Sequence, residues 1–266
     1  MKIARDLPTL RAAAAALGPL AFVPTMGNLH AGHVSLVRLA RRHARAVAVS
    51  IFVNRLQFAP GEDFERYPRT FDDDRRLLDA EGVELVFAPA ENLLYPQAQT
   101  VLVHPGPLGE ELEGRFRPGF FNGVSTVVLK LFNAVQPAAA VFGKKDYQQL
   151  AVVREMVRQL DLAVEIVAGE TAREPDGLAM SSRNAYLSAA ERAEAPRLHR
   201  LLREVTMKKI TPEQAMQQLV AAGWKPDYVE VRRRVDLKVP QAGERELVVL
   251  GAARLGRTRL IDNLEF

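Results

Sequence analysis

The sequence predicts an α/β fold in which a doubly wound parallel sheet is followed by a smaller C-terminal α+β domain. Strand-like and helix-like segments alternate through the first two thirds of the 266 residues. The strand-like segments are continuously apolar, as expected for parallel strands buried on both faces. This alternation favours right-handed βαβ units. After it the pattern changes, and we place the first domain at 1–176 and the second at 177–266.

The elements of the first domain follow in chain order. The alanine-rich N-terminus predicts a short helix, and its interspersed charges argue against a signal peptide. Five apolar runs predict strands, and they lie at 20–25, 46–53, 84–88, 138–142 and 163–167. Amphipathic segments predict helices at 34–45, 71–81, 124–135 and 147–160. The stretch 89–123 is rich in proline and glycine and predicts a long loop, which in compact enzymes is often functional.

The second domain is predicted to combine two helices with three strands. The helices cover 188–205 and 212–222, and the first begins with Ser188 as N-cap and Glu191 completing a capping box. Shorter apolar runs predict strands at 228–231, 246–250 and 260–262.

Composition narrows the class of protein. Cysteine is absent, which excludes disulfides, thiolate metal sites and a cysteine nucleophile and fits a reducing cytosol. The net charge is +4 from scattered basic residues without interleaved aromatics, so no nucleic-acid partner is expected. No apolar run reaches the length of a membrane span. We therefore expect a cytoplasmic protein with no membrane partner.

The most informative motif is His30-Ala31-Gly32-His33, between the first predicted strand and the next helix. The carboxyl edge of a parallel sheet is where ligands bind, and a helix N-terminus there favours an anion. Gly32 permits close approach of the backbone to a ligand. Two imidazoles could donate hydrogen bonds to phosphate oxygens during nucleotidyl transfer. Two histidines at a helix start can also be ordinary surface residues.

Three further segments carry polar groups. Asn54 and Gln57 follow the second strand, where an amide could bind a small hydroxy acid or amine, although Asn54 could simply cap the strand end. The run 143–149 opens a helix with Gly143, Lys144 and Lys145, which suits phosphate, while Asp146 is also a natural N-cap. Met180-Ser181-Ser182-Arg183-Asn184 could bind a triphosphate but is also ordinary loop composition.

These segments resemble the pantothenate synthetases (pantoate–β-alanine ligases), which belong to the Rossmann-like HxGH nucleotidyltransferases. The resemblance spans nearly the whole chain in matching order. It covers 24–33, SIFVN with Gln57-Phe58, 67–69, 117–119, 123–124, 145–149, 176–178, 181–184 and the terminal 259–263.

The resemblance implies that pantoate attacks ATP to form pantoyl adenylate and pyrophosphate, with Mg²⁺ on the phosphates. The amine of β-alanine then displaces AMP to form pantothenate. It also implies a homodimer in which the C-terminal domain acts as a lid.

By the same resemblance, His33 is the proton donor and His30 and Lys145 assist at the phosphates. Gln57 and Gln149 hold pantoate, with Asn54 beside them, and Gln57 also meets β-alanine. The implied ATP-binding residues are Met26, Gly27, Asn28, Leu29, His30, Ala31, Gly32, His33, Gly143, Lys144, Lys145, Asp146, Ala172, Met180, Ser181, Ser182 and Arg183.

Four positions depart from the family pattern. Arg55 stands where proline is usual and is expected to loosen the substrate side. Lys144 stands where glutamate is usual and is expected to alter nucleotide affinity, and Phe120 replaces a usual histidine beside an atypical Asn122. Two alternatives stay open on the sequence: an adenylyltransferase for another acid or nucleotide, and a non-catalytic ATP-binding protein.

Overall fold

The computed structural model describes residues 1–59 and 61–266. Within them the chain forms two compact units. The first comprises Met1–Gly143 with Val152–Gly169, and the second comprises Lys144–Ala151 with Glu170–Phe266.

The first unit is built on a six-stranded parallel sheet. Its strands are β1 (Lys2–Ala4), β2 (Leu20–Thr25), β3 (Ala46–Ile51), β4 (Leu85–Phe87), β5 (Ala139–Gly143) and β6 (Glu165–Gly169), in the order β1-β4-β3-β2-β5-β6. Its central strands are apolar on both faces, with Phe22 and Phe87 fully buried. The predicted doubly wound α/β class is confirmed.

Helices connect these strands. They are α1 (Leu7–Leu17), α2 (Ala31–Ala40), α3 (Phe71–Ala80), α4 (Glu91–Leu94), α5 (Glu113–Phe116), α6 (Phe120–Val135) and α7 (Tyr147–Gln159). The chain runs outward from β2 to β4 and then returns to place β5 on the other side of β2. This reversal makes the carboxyl ends of β2 and β5 the topological switch point, where open α/β sheets bind ligands.

The second unit packs helices against an antiparallel sheet. Its elements are α8 (Ala189–Glu194), α9 (Arg197–Thr206), α10 (Pro212–Ala221), β7 (Lys225–Arg233), β8 (Leu247–Leu255) and β9 (Thr258–Glu265), and the strand order is β7-β8-β9. Leu198, Leu202 and Leu219 share a buried cluster with Trp224 and Val249. The predicted α+β class of this part is confirmed.

Several elements differ from the sequence-based expectation. The helix predicted over 188–205 is two helices, because the ring of Pro196 fixes the backbone and removes an N–H donor. Strand β1 was not predicted, because three residues are too few to show a pattern of apolar residues. The predicted loop 89–123 contains α4 and α5 and the start of α6.

None of the helices among residues 1–59 and 61–266 combines the length and apolar character needed to cross a membrane.

Candidate active site

The two histidines of the HxGH motif lie in the first turn of α2. His30 is its N-cap, and its Nδ1 accepts a hydrogen bond from the Gly32 amide at 3.1 Å. The Nδ1 of His33 accepts from the His30 amide at 3.3 Å, so the pair forms a capping box built from imidazoles. Because both Nδ1 atoms accept, each neutral ring carries its proton on Nε2. The ring centroids are 4.2 Å apart, which places two hydrogen-bond donors side by side.

The loop that leads into this pair is shaped by Asp74 of α3. Its buried carboxylate accepts from the amides of Asn28 at 3.0 Å and Leu29 at 2.8 Å. Gly27 and Asn28 have φ values of 79° and 50°. A Cβ at Gly27 would lie 2.9 Å from an Asp74 oxygen, so glycine is required there.

A relay of side chains orients Gln57. Asn54 is buried, and its Nδ2 donates to Gln57 Oε1 at 2.9 Å and to the Gly123 carbonyl at 3.0 Å. Its Oδ1 accepts from the Tyr95 hydroxyl at 2.8 Å. Gln57 therefore uses its oxygen within the protein, and its Nε2 is the atom able to donate to a ligand. Burial, followed by the negative charge of Glu91, raises the pKa of Tyr95, which keeps the phenol a neutral donor.

The turn Arg55–Gln57 is also held by its backbone. Arg117 donates to the Gln57 carbonyl at 2.9 Å and pairs with Glu62. Gly123 of α6 also lies so close to the turn that a Cβ would be 2.2 Å from the Leu56 carbonyl oxygen. The glycine is therefore required by a helix–turn contact, because any larger residue would push the turn away.

The three residues of the first unit that we expect to depart from the family pattern have partners. Arg55 pairs with Glu91 at 2.8 Å and Glu65 at 3.3 Å and lies over the Phe64 ring. The expectation that Arg55 loosens this turn stays a prediction. Phe120 receives the Arg117 guanidinium on its ring face, and Asn122 contacts His104 at 3.3 Å.

In the second unit, Lys144–Asp146 form a 3₁₀ turn before α7. Lys144 contacts Glu170 at 2.6 Å and Glu265 at 3.0 Å. Burial opposes its charge, but these hydrogen bonds outweigh burial and raise the pKa of Lys144. Its charge is thus balanced by two carboxylates. Lys145 lies 3.8 Å from the carboxylate of Asp146.

The other predicted nucleotide segment of this unit is a tight hairpin. The Met180 amide donates to the Ala172 carbonyl at 2.9 Å, and Arg173 pairs with Ala179. Gly177 closes the hairpin with φ 94°, where a Cβ would meet His199 at 2.7 Å. Ser181 then caps the 3₁₀ turn Ser182–Tyr186 by accepting from the Arg183 amide at 3.3 Å. The hairpin brings Ala172 beside Met180.

Sequence reasoning gave no role to four residues that hold these segments: Asp74, Tyr95 and the ion pair of Arg173 with Asp262 at 2.8 Å. Asp74 is one of three consecutive aspartates at the start of α3, all suited to a helix N-terminus. Only the fold shows that this one is buried. Asp262 lies in the terminal segment 259–263, which resembles the family, but the sequence did not indicate what this aspartate does.

Comparison with known proteins identifies the family. The profile of the pantoate-beta-alanine ligase family matches residues 2–265. The chain belongs to this family. A pantothenate synthetase of Nitrosospira multiformis is 56% identical over 273 residues, covering 100% of this chain and 98% of the relative. These values confirm the family resemblance predicted from the sequence.

Solved structures of pantoate–β-alanine ligases agree with the fold. The enzyme of Thermus thermophilus aligns with a TM-score of 0.93 and 46% identity, covering 100% of this chain and 99% of its own. The ligase of Francisella tularensis, complexed with beta-gamma ATP and beta-alanine, aligns with a TM-score of 0.88 and 32% identity, covering 100% and 97%.

Proposed function

We propose that this protein joins pantoate to β-alanine at the expense of ATP, through a pantoyl-adenylate intermediate. The observation that carries the proposal is membership of the pantoate–β-alanine ligase family over residues 2–265. The paired histidines at the start of α2 support the proposal, because hydrogen-bond donors at such a position suit the charge that grows on phosphate oxygens.

In the first step, a carboxylate oxygen of pantoate attacks the α-phosphorus of ATP. The bond from that phosphorus to the β-phosphate oxygen breaks, and pyrophosphate leaves. Charge grows on the phosphate oxygens, where fixed donors stabilise the transition state. We assign the Nε2–H of His33 as a hydrogen-bond donor to the departing pyrophosphate, because a ring that accepts at Nδ1 is neutral and keeps its single proton. His30 and Lys145 act as donors to the phosphate oxygens.

In the second step, the neutral amine of β-alanine attacks the acyl carbon of the adenylate. The carbon–oxygen bond to AMP breaks, the nitrogen loses a proton, and pantothenate and AMP leave. We assign Gln57 and Gln149 to hold pantoate, with Gln57 also meeting β-alanine. Asn54 then serves by fixing the Gln57 amide, since its Nδ2 donates to Gln57 Oε1.

The remaining nucleotide contacts follow the family resemblance. We assign four further segments to ATP binding. They are residues 26–33, residues 143–146, Ala172, and residues 180–183. The hairpin hydrogen bond between Met180 and Ala172 supports treating those two residues as one segment. The domain assignment of 1–176 and 177–266, with the latter as a lid, is likewise a proposal.

Magnesium would enter as its complex with ATP. The described part of the chain holds no group of three or more His, Cys, Asp or Glu side chains able to bind a metal on its own. Mg²⁺ commonly binds through substrate phosphates with few protein carboxylates, and this is the mode we propose. A cytoplasmic homodimer is proposed from the family resemblance, and light scattering of the purified protein would test the dimer.

The test of the route is isotope exchange. Labelled pyrophosphate is incubated with ATP, pantoate and enzyme without β-alanine, and β-alanine is then added. We expect pantoate-dependent exchange of label into ATP, followed by AMP release only after the amine is added. ATP binding without exchange would contradict the acyl-adenylate route.

The assigned donors are tested by substitution. His33→Ala and Lys145→Ala should each lower kcat about 10²–10³-fold, because each removes a donor from the developing phosphate charge. His43→Ala and Lys238→Ala, at an exposed histidine and an exposed lysine outside the assigned residues, serve as controls. An unchanged kcat in both His33→Ala and Lys145→Ala would contradict the donor roles assigned to these two residues.

A further inference from the structure

The terminal strand β9 carries a polar pair that the proposed reaction leaves without a role. Asn263 is buried, and its Nδ2 donates to two consecutive carbonyls, that of Lys144 at 2.8 Å and that of Lys145 at 2.9 Å. Both hydrogens of the amide group are used by these bonds. The backbone that carries Lys145 is therefore fixed by one side chain more than 100 residues away in sequence.

The adjacent Asp262 holds the other nucleotide segment of the second unit. Its carboxylate receives a bidentate pair from Arg173, at 2.8 and 2.9 Å, and a contact from His199 Nδ1 at 3.2 Å. Arg173 also donates to the Gly177 carbonyl at 3.0 Å. The hairpin that places Ala172 beside Met180 is thereby tied to β9.

The two residues are joined to each other as well. Asp262 Oδ1 accepts from the Asn263 amide at 2.8 Å, and Arg173 donates to the Asn263 carbonyl at 3.2 Å. A hydrogen-bonded chain thus runs from the 3₁₀ turn 144–146 through β9 to the hairpin 172–180. Low-dielectric burial strengthens such a chain and makes its geometry well defined.

We propose that Asp262 and Asn263 form a β9 clamp, a pair of positioning residues that sets the relative placement of the two ATP-binding segments of the second unit. Asn263 acts through Lys145, and Asp262 acts through Arg173 and the hairpin. The inference rests on the proposed function, because it takes these segments to bind ATP. Neither clamp residue needs to touch the nucleotide.

The first test is a double-mutant cycle between Asn263 and Lys145. Asn263→Ala should lower kcat/KM for ATP by up to about 10²-fold, since small displacements of a catalytic group have effects of this size. In a Lys145→Ala background the same substitution should cost less than about threefold, because effects of coupled groups do not add. KM for β-alanine should stay unchanged.

A matched control separates positioning from loss of stability. Asp227→Asn breaks the ion pair between Asp227 of β7 and Arg259 of β9, 2.6 Å, which belongs to the same three-stranded sheet but makes none of the clamp's hydrogen bonds. We expect it to lower the unfolding temperature and to leave kcat/KM for ATP unchanged. Additive losses in the Asn263–Lys145 cycle, or equal loss of activity in Asp227→Asn and Asn263→Ala, would overturn the clamp.

The experiment also distinguishes failure of the clamp from failure of the proposed function. ATP affinity is measured by calorimetry on the same variants, without pantoate or β-alanine. A wild-type protein that binds ATP but shows no pantoate-dependent exchange would refute the proposed reaction. The clamp would still be supported if Asn263→Ala weakened ATP binding at least tenfold while Asp227→Asn did not, and overturned if both variants bound as the wild type does.

Discussion

At the scale of single residues, hydrogen bonds decide which atom each polar side chain can offer a ligand. Histidine and glutamine each have two distinct ends, and the sequence does not say which end faces outward. Here the Nδ1 atoms of His30 and His33 accept from backbone amides, so Nε2 is the donor. The Oε1 of Gln57 accepts from Asn54, so its Nε2 is the donor.

Tyr95→Phe tests this control of Gln57. The substitution removes the hydroxyl that donates to Asn54 Oδ1 at 2.8 Å, while the aromatic ring keeps its packing. Loss of one such bond costs about 1–1.5 kcal/mol, and the Asn54 amide loses the partner that fixes its orientation. We expect KM for pantoate to rise about tenfold, as measured by initial-rate kinetics. KM for ATP is the internal control, and an unchanged KM for pantoate would contradict the relay.

At the scale of elements, side chains from one element shape the loop of another. The carboxylate of Asp74, at the start of α3, binds the amides of the loop between β2 and α2. Gly123 of α6 leaves room for the turn that carries Gln57. In both places the residues that we assign to ligand binding lie on short connections whose conformation is fixed by another element, as expected for functional loops on a rigid scaffold.

Asp74→Asn tests the loop between β2 and α2. The amide keeps one acceptor oxygen but turns an N–H₂ group toward an amide that needs an acceptor. We expect the free energy of unfolding to fall by about 1–3 kcal/mol, the cost of an unsatisfied buried group, and KM for ATP to rise. Denaturant titration and initial rates measure the two effects.

Asp73→Asn is the matched control for that variant. Asp73 is exposed on the same helix and pairs with Arg76 at 2.5 Å, so its loss should change stability by less than about 0.5 kcal/mol. Equal losses of stability in Asp74→Asn and Asp73→Asn would contradict the role of Asp74 in shaping the loop. Asp74 would then act only as one of three negative charges at the start of the helix.

At the scale of the molecule, even clustered charges form ion pairs within the protein. The densest basic run of the sequence, Arg232 to Arg234, illustrates this. Arg232 pairs with Glu230, Arg233 with Asp236 and Glu244, and Arg234 with Glu246 and Glu265. The net charge of +4 therefore says little about any one surface.

The stability of the second unit should depend on pH through Asp262. Burial raises its pKa, but hydrogen bonds from His199 and Arg173 outweigh burial, and the pKa of Asp262 is lowered overall. The folded pKa thus lies below the unfolded value of about 3.9, so this stabilisation is complete above that value. It is lost as the pH falls toward the folded pKa, because the unfolded chain takes up the proton first.

Denaturant unfolding between pH 7 and pH 3 measures this effect. Trp224 is the single tryptophan, and it is buried in the second unit, so its fluorescence reports that unit. Asp262→Asn should lose about 3–5 kcal/mol at pH 7, since it strands Arg173 without its partner. It should also show a smaller decline in stability below pH 4 than the wild type. Parallel pH profiles of the two proteins would contradict the assignment.

The sequence by itself determined the α/β class, most strands of both sheets and the family to which the chain belongs. These follow from local patterns. Apolar runs mark buried strands, and two histidines three residues apart, His30 and His33, fall within one turn at the start of a helix. Pro196 is a helix breaker visible in the sequence, but the helical pattern of apolar residues on both sides of it led to the prediction of one continuous helix. The short strand β1 had no period to read.

Only the tertiary structure decided which atoms the site presents and what holds its segments in place. Asp74 looks like its two neighbours in the sequence, and Asn263 lies 118 residues from the lysine whose carbonyl it binds. Long-range hydrogen bonds leave no local periodicity, because partners need only meet in space. Patterns of burial are repeated along the chain and can be read from it, whereas single contacts between distant residues exist only once the chain has folded.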